Sequence, residues 1–146
     1  MYRSYKDVAE FYIVYISEAH AADDRRPVPY ATEQGILEPT SLGQRCSVAQ
    51  KLFAEKKLTI PCLVDGMENK TADAYKAWPD RLFLVRKDGL LAVAGKRGPW
   101  GFKPALGEAE TWLAEFKKTG KEPALPNVAA PAAKSKPKPK PKQKSL

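Results

Sequence analysis

Residues Phe11, Tyr12, Ile13, Val14, Tyr15 and Ile16 form an unbroken apolar run rich in β-branched and aromatic side chains. A run without polar alternation predicts a strand buried on both faces of a parallel sheet. Ahead of it, residues 2–7 read as the last turns of a helix. Residues 21–40 carry Asp, Pro, Gly and Thr and read as a long loop. Ser41 then offers an N-cap, and Leu42, Cys46, Ala49 and Phe53 recur at helical spacing, which predicts an amphipathic helix over 41–57 with Cys46 as a core thiol. Residues 61–65 make a short apolar strand ending in Asp65, broken by Gly66 and followed by a short helix over 68–76. Strands over 81–86 and 90–94 flank Lys87, Asp88 and Gly89, a strong hairpin signal. Pro104 opens a last helix whose apolar stripe is Leu106, Ala109, Leu113 and Phe116.

The order is partial helix, strand, helix, strand, short helix, hairpin, helix. Alternating β and α units predict a parallel sheet, to which the hairpin adds antiparallel edge strands. This α/β plan is the thioredoxin-like one without its first strand and most of its first helix. It assigns residues 1–118 to one domain and 119–146 to a tail of Pro, Ala and Lys that is too polar to bury a core.

The apolar run of residues 11–16 ends two residues before Glu18, and His20 is the only histidine of the 146 residues. In a strand, residues i and i+2 face the same way, so Glu18 and His20 are expected to reach one pocket at a strand end, where open α/β sheets place ligands. A carboxylate beside an imidazole fixes its tautomer and favours its charged form, as a proton shuttle needs.

Composition narrows the choice. The net charge is +8, but seven lysines and one glutamate from Lys121 onward account for +6 of it. The body is nearly neutral and is not a specific nucleic-acid binder. No apolar run is long enough for a membrane span and no signal-peptide core is present, which gives a cytoplasmic expectation. Cys46 and Cys62 form no CxxC pair and no zinc-spaced cluster, so no metal or cofactor is expected.

Several segments resemble those of the iodothyronine deiodinase family. Tyr15, Ile16, Glu18, Ala19, His20 and Asp23 match its YI-x-EAH-x-x-D segment, and Ser41, Leu42 and Arg45 its RSLEDR helix start. Val64, Asp65, Met67 and Asn69 match VDTM-x-N, and Tyr75, Ala77, Pro79, Arg81 and Leu82 match Y-x-A-x-PERL. Gly95, Arg97, Gly98, Pro99 and Gly101 match G-x-RGP-x-GY, and Trp112 and Leu113 match a final WL. The resemblance covers residues 1–116 in the family's order and is nearest the bacterial, redoxin-like members.

The resemblance implies a thiol or selenol oxidoreductase of thioredoxin-like fold, with Glu18 and His20 as its proton-handling pair and Arg97 facing an acidic group of the substrate. It implies that Pro79 is a cis proline facing the redox centre; Trp78 beside it either walls a substrate pocket or fills core, and Trp100 shares with Arg97 a loop near the last helix's N-terminus, where an anionic substrate group is favoured. The family's Cys or Sec nucleophile falls upstream of Met1, and neither Cys46 nor Cys62 matches it. The chain is therefore expected to be inactive as written, with a thiol as co-substrate of the full-length protein. A second family histidine falls at Pro39, which implies a different or smaller small-molecule or thiol substrate. Two rivals stand beside this reading: a non-catalytic redoxin-like binding domain with the tail as an electrostatic tether, and a thiol peroxidase reacting through Cys62.

Overall fold

The computed structural model describes residues 1–125. The Lys- and Pro-rich stretch expected as a tail lies outside them from residue 126 on. The chain runs α1 (Tyr2–Tyr5), β1 (Ile13–Tyr15), α2 (Pro29–Gln34), α3 (Leu42–Glu55), β2 (Cys62–Val64), α4 (Lys70–Tyr75), β3 (Phe83–Val85), β4 (Leu91–Ala94) and α5 (Phe102–Thr119). This is a mixed α/β chain with small sheets and a C-terminal helix.

Strand β1 pairs in parallel with β2, Ile13 opposite Cys62 and Tyr15 opposite Val64. The intervening α3 packs on β2. Its start is fixed by Ser41, whose hydroxyl accepts from the N–H of Gln44 at 3.3 Å. Gln44 answers by accepting from the Thr40 N–H at 2.8 Å, so two helix-start donors are satisfied reciprocally. Strands β3 and β4 pair antiparallel, with a bulge between Leu84 and Val85. Gly89 turns the hairpin at φ 83°, a backbone state that disfavours side chains. Beyond α5, Glu122 accepts from Arg86 Nε at 3.0 Å and from the Lys87 N–H at 2.9 Å.

Four expectations are corrected. The chain forms two separate two-stranded sheets, β1–β2 and β3–β4, rather than one mixed sheet. β1 and β3 each pair along a single edge, and no strand lies between them among the described residues. Strand β1 is not buried on both faces: Tyr12 is 55 % exposed, Val14 38 % and the neighbouring Leu63 51 %. The apolar run therefore reports a surface that wants covering, which period alone does not distinguish from one already covered. The region expected as loop contains α2, started by Pro29 at its first position and ended by left-handed Gly35. Finally, the buried line of α5 is Ala105, Ala109 and Leu113, with Leu106 and Phe116 only flanking it.

Small residues let α5 approach the hairpin closely. Val93, Ala105 and Ala109 form the core there, with Met1, Leu82 and Leu84 packed around them. Gly95 permits that approach, since a Cβ there would lie 2.7 Å from the Leu82 carbonyl oxygen and 2.8 Å from Ala105 Cβ. Helix α1 leans on α5, where Lys117 Nζ reaches Asp7 at 2.9 Å.

Candidate functional site

Strand alternation does not carry Glu18 and His20, because β1 ends at Tyr15 and the chain bends after it. Tertiary contacts hold each residue instead. The Glu18 N–H donates to Glu38 Oε2 at 2.9 Å, and the Glu18 carbonyl accepts from Trp78 Nε1 at 3.2 Å. Its carboxyl is half-buried and its pKa is raised, first by loss of solvent and then by the Glu38 charge, with Arg45 opposing.

His20 sits at φ 69°, a left-handed state uncommon for a residue with a side chain. Its N–H donates to Asp24 Oδ2 at 3.2 Å, and its carbonyl accepts from the Val28 N–H at 3.1 Å. Nδ1 lies 2.9 Å from the Arg26 carbonyl oxygen. A carbonyl only accepts, so Nδ1 donates in this bond, and Nε2 has no hydrogen-bond partner among the described residues.

A series of contacts links the remaining candidates to Glu18. Trp78, which holds Glu18, is joined to Pro79 by a cis peptide, as the resemblance implied. The next residue, Asp80, accepts the Gly98 N–H at 2.9 Å. Gly98 packs its bare Cα against the Asp80 carboxylate, where a Cβ would collide with both oxygens. That contact seats Arg97 beside the opening of β3. Arg97 is exposed and carries no ion pair among the described residues. Trp100, on the same loop, is 89 % exposed and so walls no enclosed space. Glu18, Trp78, Pro79 and Arg97 are thereby chained together, with His20 two residues from Glu18.

Three contributors escaped the sequence reading. Arg45 is 1 % exposed. Its Nη1 donates to the carbonyls of Asp65 at 3.2 Å and Gly66 at 2.8 Å and to Asn69 Oδ1 at 2.9 Å. Its Nη2 lies 3.8 Å from Glu38, the residue that holds the Glu18 N–H. Glu38 and Asp80 are the other two. Arg45 was detectable: it stands four residues before Ala49 and eight before Phe53, a charge on the apolar stripe. Glu38 and Asp80 give no comparable signal, since each is a polar residue in a non-helical segment.

Asp65 completes the scaffold. Burial disfavours its charge, yet the N–H groups of Ala72, Thr71 and Gly66 outweigh that and hold its carboxyl below the usual carboxylate range. The cysteines lie elsewhere. Cys46 is half-buried rather than a core thiol, and Cys62 touches the Leu63 carbonyl at 3.5 Å. Burial, and then the nearby Cys46, push the Cys62 thiol above its ordinary range, which disfavours the thiolate a peroxidase would use. No group of three metal-ligating side chains occurs among the described residues.

Comparison with known proteins adds to this geometry. A family model described as iodothyronine deiodinase matches residues 1–117. A type I iodothyronine deiodinase of Xenopus laevis is 36% identical over 102 residues, covering 68% of this chain and 38% of that protein. A thyroxine 5-deiodinase of Gallus gallus is 34% identical over 117 residues (80% and 43%), and one of Sparus aurata 35% over 118 (77% and 40%). The chain spans about two fifths of the length of these relatives. All three are vertebrate proteins and lend no support to the expected nearness to bacterial members.

Proposed function

The chain belongs to the iodothyronine deiodinase family, and from that premise we propose that it is the proton-handling and substrate-facing part of a reductive dehalogenase of thioredoxin-like plan. One observation carries the reading: Trp78 Nε1 bonds the Glu18 carbonyl, Asp80 two residues on accepts from the Gly98 N–H beside Arg97, and His20, two residues from Glu18, has no hydrogen-bond partner on Nε2 among the described residues.

In this reading a thiolate or selenolate arrives on a strand between β1 and β3, whose facing edges are unpaired. It attacks the halogen of an aryl halide. The carbon–halogen bond breaks, its electron pair stays on carbon, and carbon takes a proton. The resulting sulfenyl or selenenyl halide is reduced by a thiol co-substrate, which releases halide and a proton and forms a sulfur–sulfur or sulfur–selenium bond. His20 Nε2 relays the proton while Arg26 holds the ring through Nδ1. Glu18, two residues away in an environment that favours its protonated form, takes up and returns a proton in the same relay. Arg97, free of ion pairs among the described residues, binds an acidic group of the substrate. Pro39 is buried where the family has a second histidine, so the preferred substrate is smaller than an iodothyronine.

The test supplies the nucleophile. A chain extended upstream by a strand ending in Cys or Sec is assayed for iodide release from aryl iodides with dithiothreitol. Release is expected, and His20→Ala lowers it by about 10²-fold or more. Unchanged rate constants in His20→Ala would remove the pair from the mechanism. A protein that binds aryl iodides without turnover would instead be the non-catalytic binding domain. Pro39→His is expected to shift preference toward iodothyronines.

A further inference from the structure

Helix α5 and strand β4 line an open groove of about 1190 Å³. Ala92 of β4 and Trp112 and Ala114 of α5 make its apolar wall. Trp112 stacks on Phe116 with ring centroids 5.4 Å apart, which holds the indole in place. Glu108, Glu110 and Glu115 also line the groove and are exposed, against a single lysine, Lys118. None of the three carboxylates carries an ion pair among the described residues.

The chain itself is led to this groove. Gly120 ends α5 in the left-handed state at φ 67°, and Glu122 is then fastened to the hairpin by Arg86 and the Lys87 N–H. The next residue, Pro123, lines the groove, and Leu125, the last described residue, is partly buried. Beyond it the sequence runs Pro126, Asn127, Val128, Ala129, Ala130 and Pro131, followed by six lysines from Lys134 to Lys144 and no acidic residue. Along α5 the groove reaches from Lys118 to Gly107, about 16 Å at about 1.5 Å per residue. A Pro-rich segment at about 3.1 Å per residue would cross that distance with about five residues.

We propose that this groove is the docking site of the chain's own segment from Pro126 onward. Residues 126–131 lie against Ala92, Trp112 and Ala114, as Pro-rich segments do on aromatic-lined grooves. The lysines from Lys134 on then meet Glu108 and Glu110 at the far end, opposite charges that attract most strongly at low salt. This docking needs neither a nucleophile nor a halogenated substrate, so it does not rest on the catalytic reading.

The experiment uses the full chain. A nitroxide is placed on Ser135→Cys in a chain with Cys46→Ser and Cys62→Ser, and a small share of that chain, isotope-labelled, is diluted into unlabelled chain. Loss of amide intensity is expected to concentrate at Ala92, Glu108 and Thr111. Salt at about 1 M, where the screening length is about 3 Å, should restore most of it, and so should Glu108→Gln combined with Glu110→Gln. Should the cysteine variants fail to fold, nuclear Overhauser effects from the Val128 methyls to the Trp112 ring read the apolar half of the contact in the unsubstituted chain, and their absence there would overturn the proposal. Intensity loss spread evenly over the chain, or loss unchanged in the glutamine variant, would do the same. So would loss that appears only when the nitroxide and the isotope label are on different molecules, which would assign the groove to a second copy.

Discussion

At the scale of single residues, the buried Asp65 and the half-buried Glu18 behave in opposite ways and predict opposite pH responses. Asp65 accepts three backbone N–H groups and is held below its ordinary pKa. Its ionised form is favoured by folding, so its contribution is complete above the unfolded pKa of about 3.9 and is lost as pH falls through the lower folded value. Asp65→Asn should therefore destabilise the fold at neutral pH, with the gap to wild type closing in acid. Glu18 is held above its ordinary pKa, so the folded state binds the proton more tightly and stability falls as pH rises through that interval. Glu18→Gln should stabilise the chain at pH 7, and the gain should vanish below about pH 4. Urea unfolding at several pH values measures both. Arg45 is the third test. Arg45→Ala leaves two carbonyls and one amide oxygen without their donor and should cost about 3–5 kcal/mol, as breaking a buried charged network does. Arg45→Lys should recover only part of it, since one ammonium cannot reproduce a planar fork.

At the scale of elements, short local devices fix where each helix and strand begins, and close contacts fix how they meet. Ser41→Ala removes the cap of α3 and should cost about 1 kcal/mol. Gly98→Ala should also destabilise, because its Cβ meets the Asp80 carboxylate and either that side chain or the loop carrying Arg97 must then shift. Pairing it with Asp80→Ala removes the obstacle and should restore part of the loss. A double-mutant cycle by thermal unfolding therefore reads the contact directly. Additive losses would show that Gly98 is tolerated for another reason.

At the scale of the whole molecule, seven of the nine buried apolar residues among those described are alanines, while Tyr12, Val14, Leu63 and Trp78 remain exposed. Much of the chain's capacity for burial is thus unused on one face of the β1–β2 sheet and along the open edge of β1. Such an edge is a template for pairing with other chains. Val14→Lys should raise solubility with little change in unfolding midpoint. In a chain extended by the strand proposed to lie between β1 and β3, the same substitution should destabilise, because Val14 is then covered. Sedimentation and urea unfolding of both chains distinguish these outcomes.

The sequence by itself determined the order and kind of most elements, since apolar period, Ser41, Gly89 and the residues around Asp88 are signals a chain carries locally. The family was legible too, because its motifs are short words read in order. The composition of the candidate site was partly legible: Glu18, His20, Pro79 and Arg97 stand in those words. The way they are held was not. Glu38, Asp24 and Arg26 act on Glu18 and His20 from loop positions, with no periodicity to mark them. Packing between distant segments settled that the strands form two sheets, that Arg45 is buried, and that the Glu18 carboxyl is half-buried beside Glu38. Burial and hydrogen-bond partnership belong to pairs of segments distant in the chain. A local pattern states what a residue prefers, whereas the partner it meets is fixed by how the elements pack.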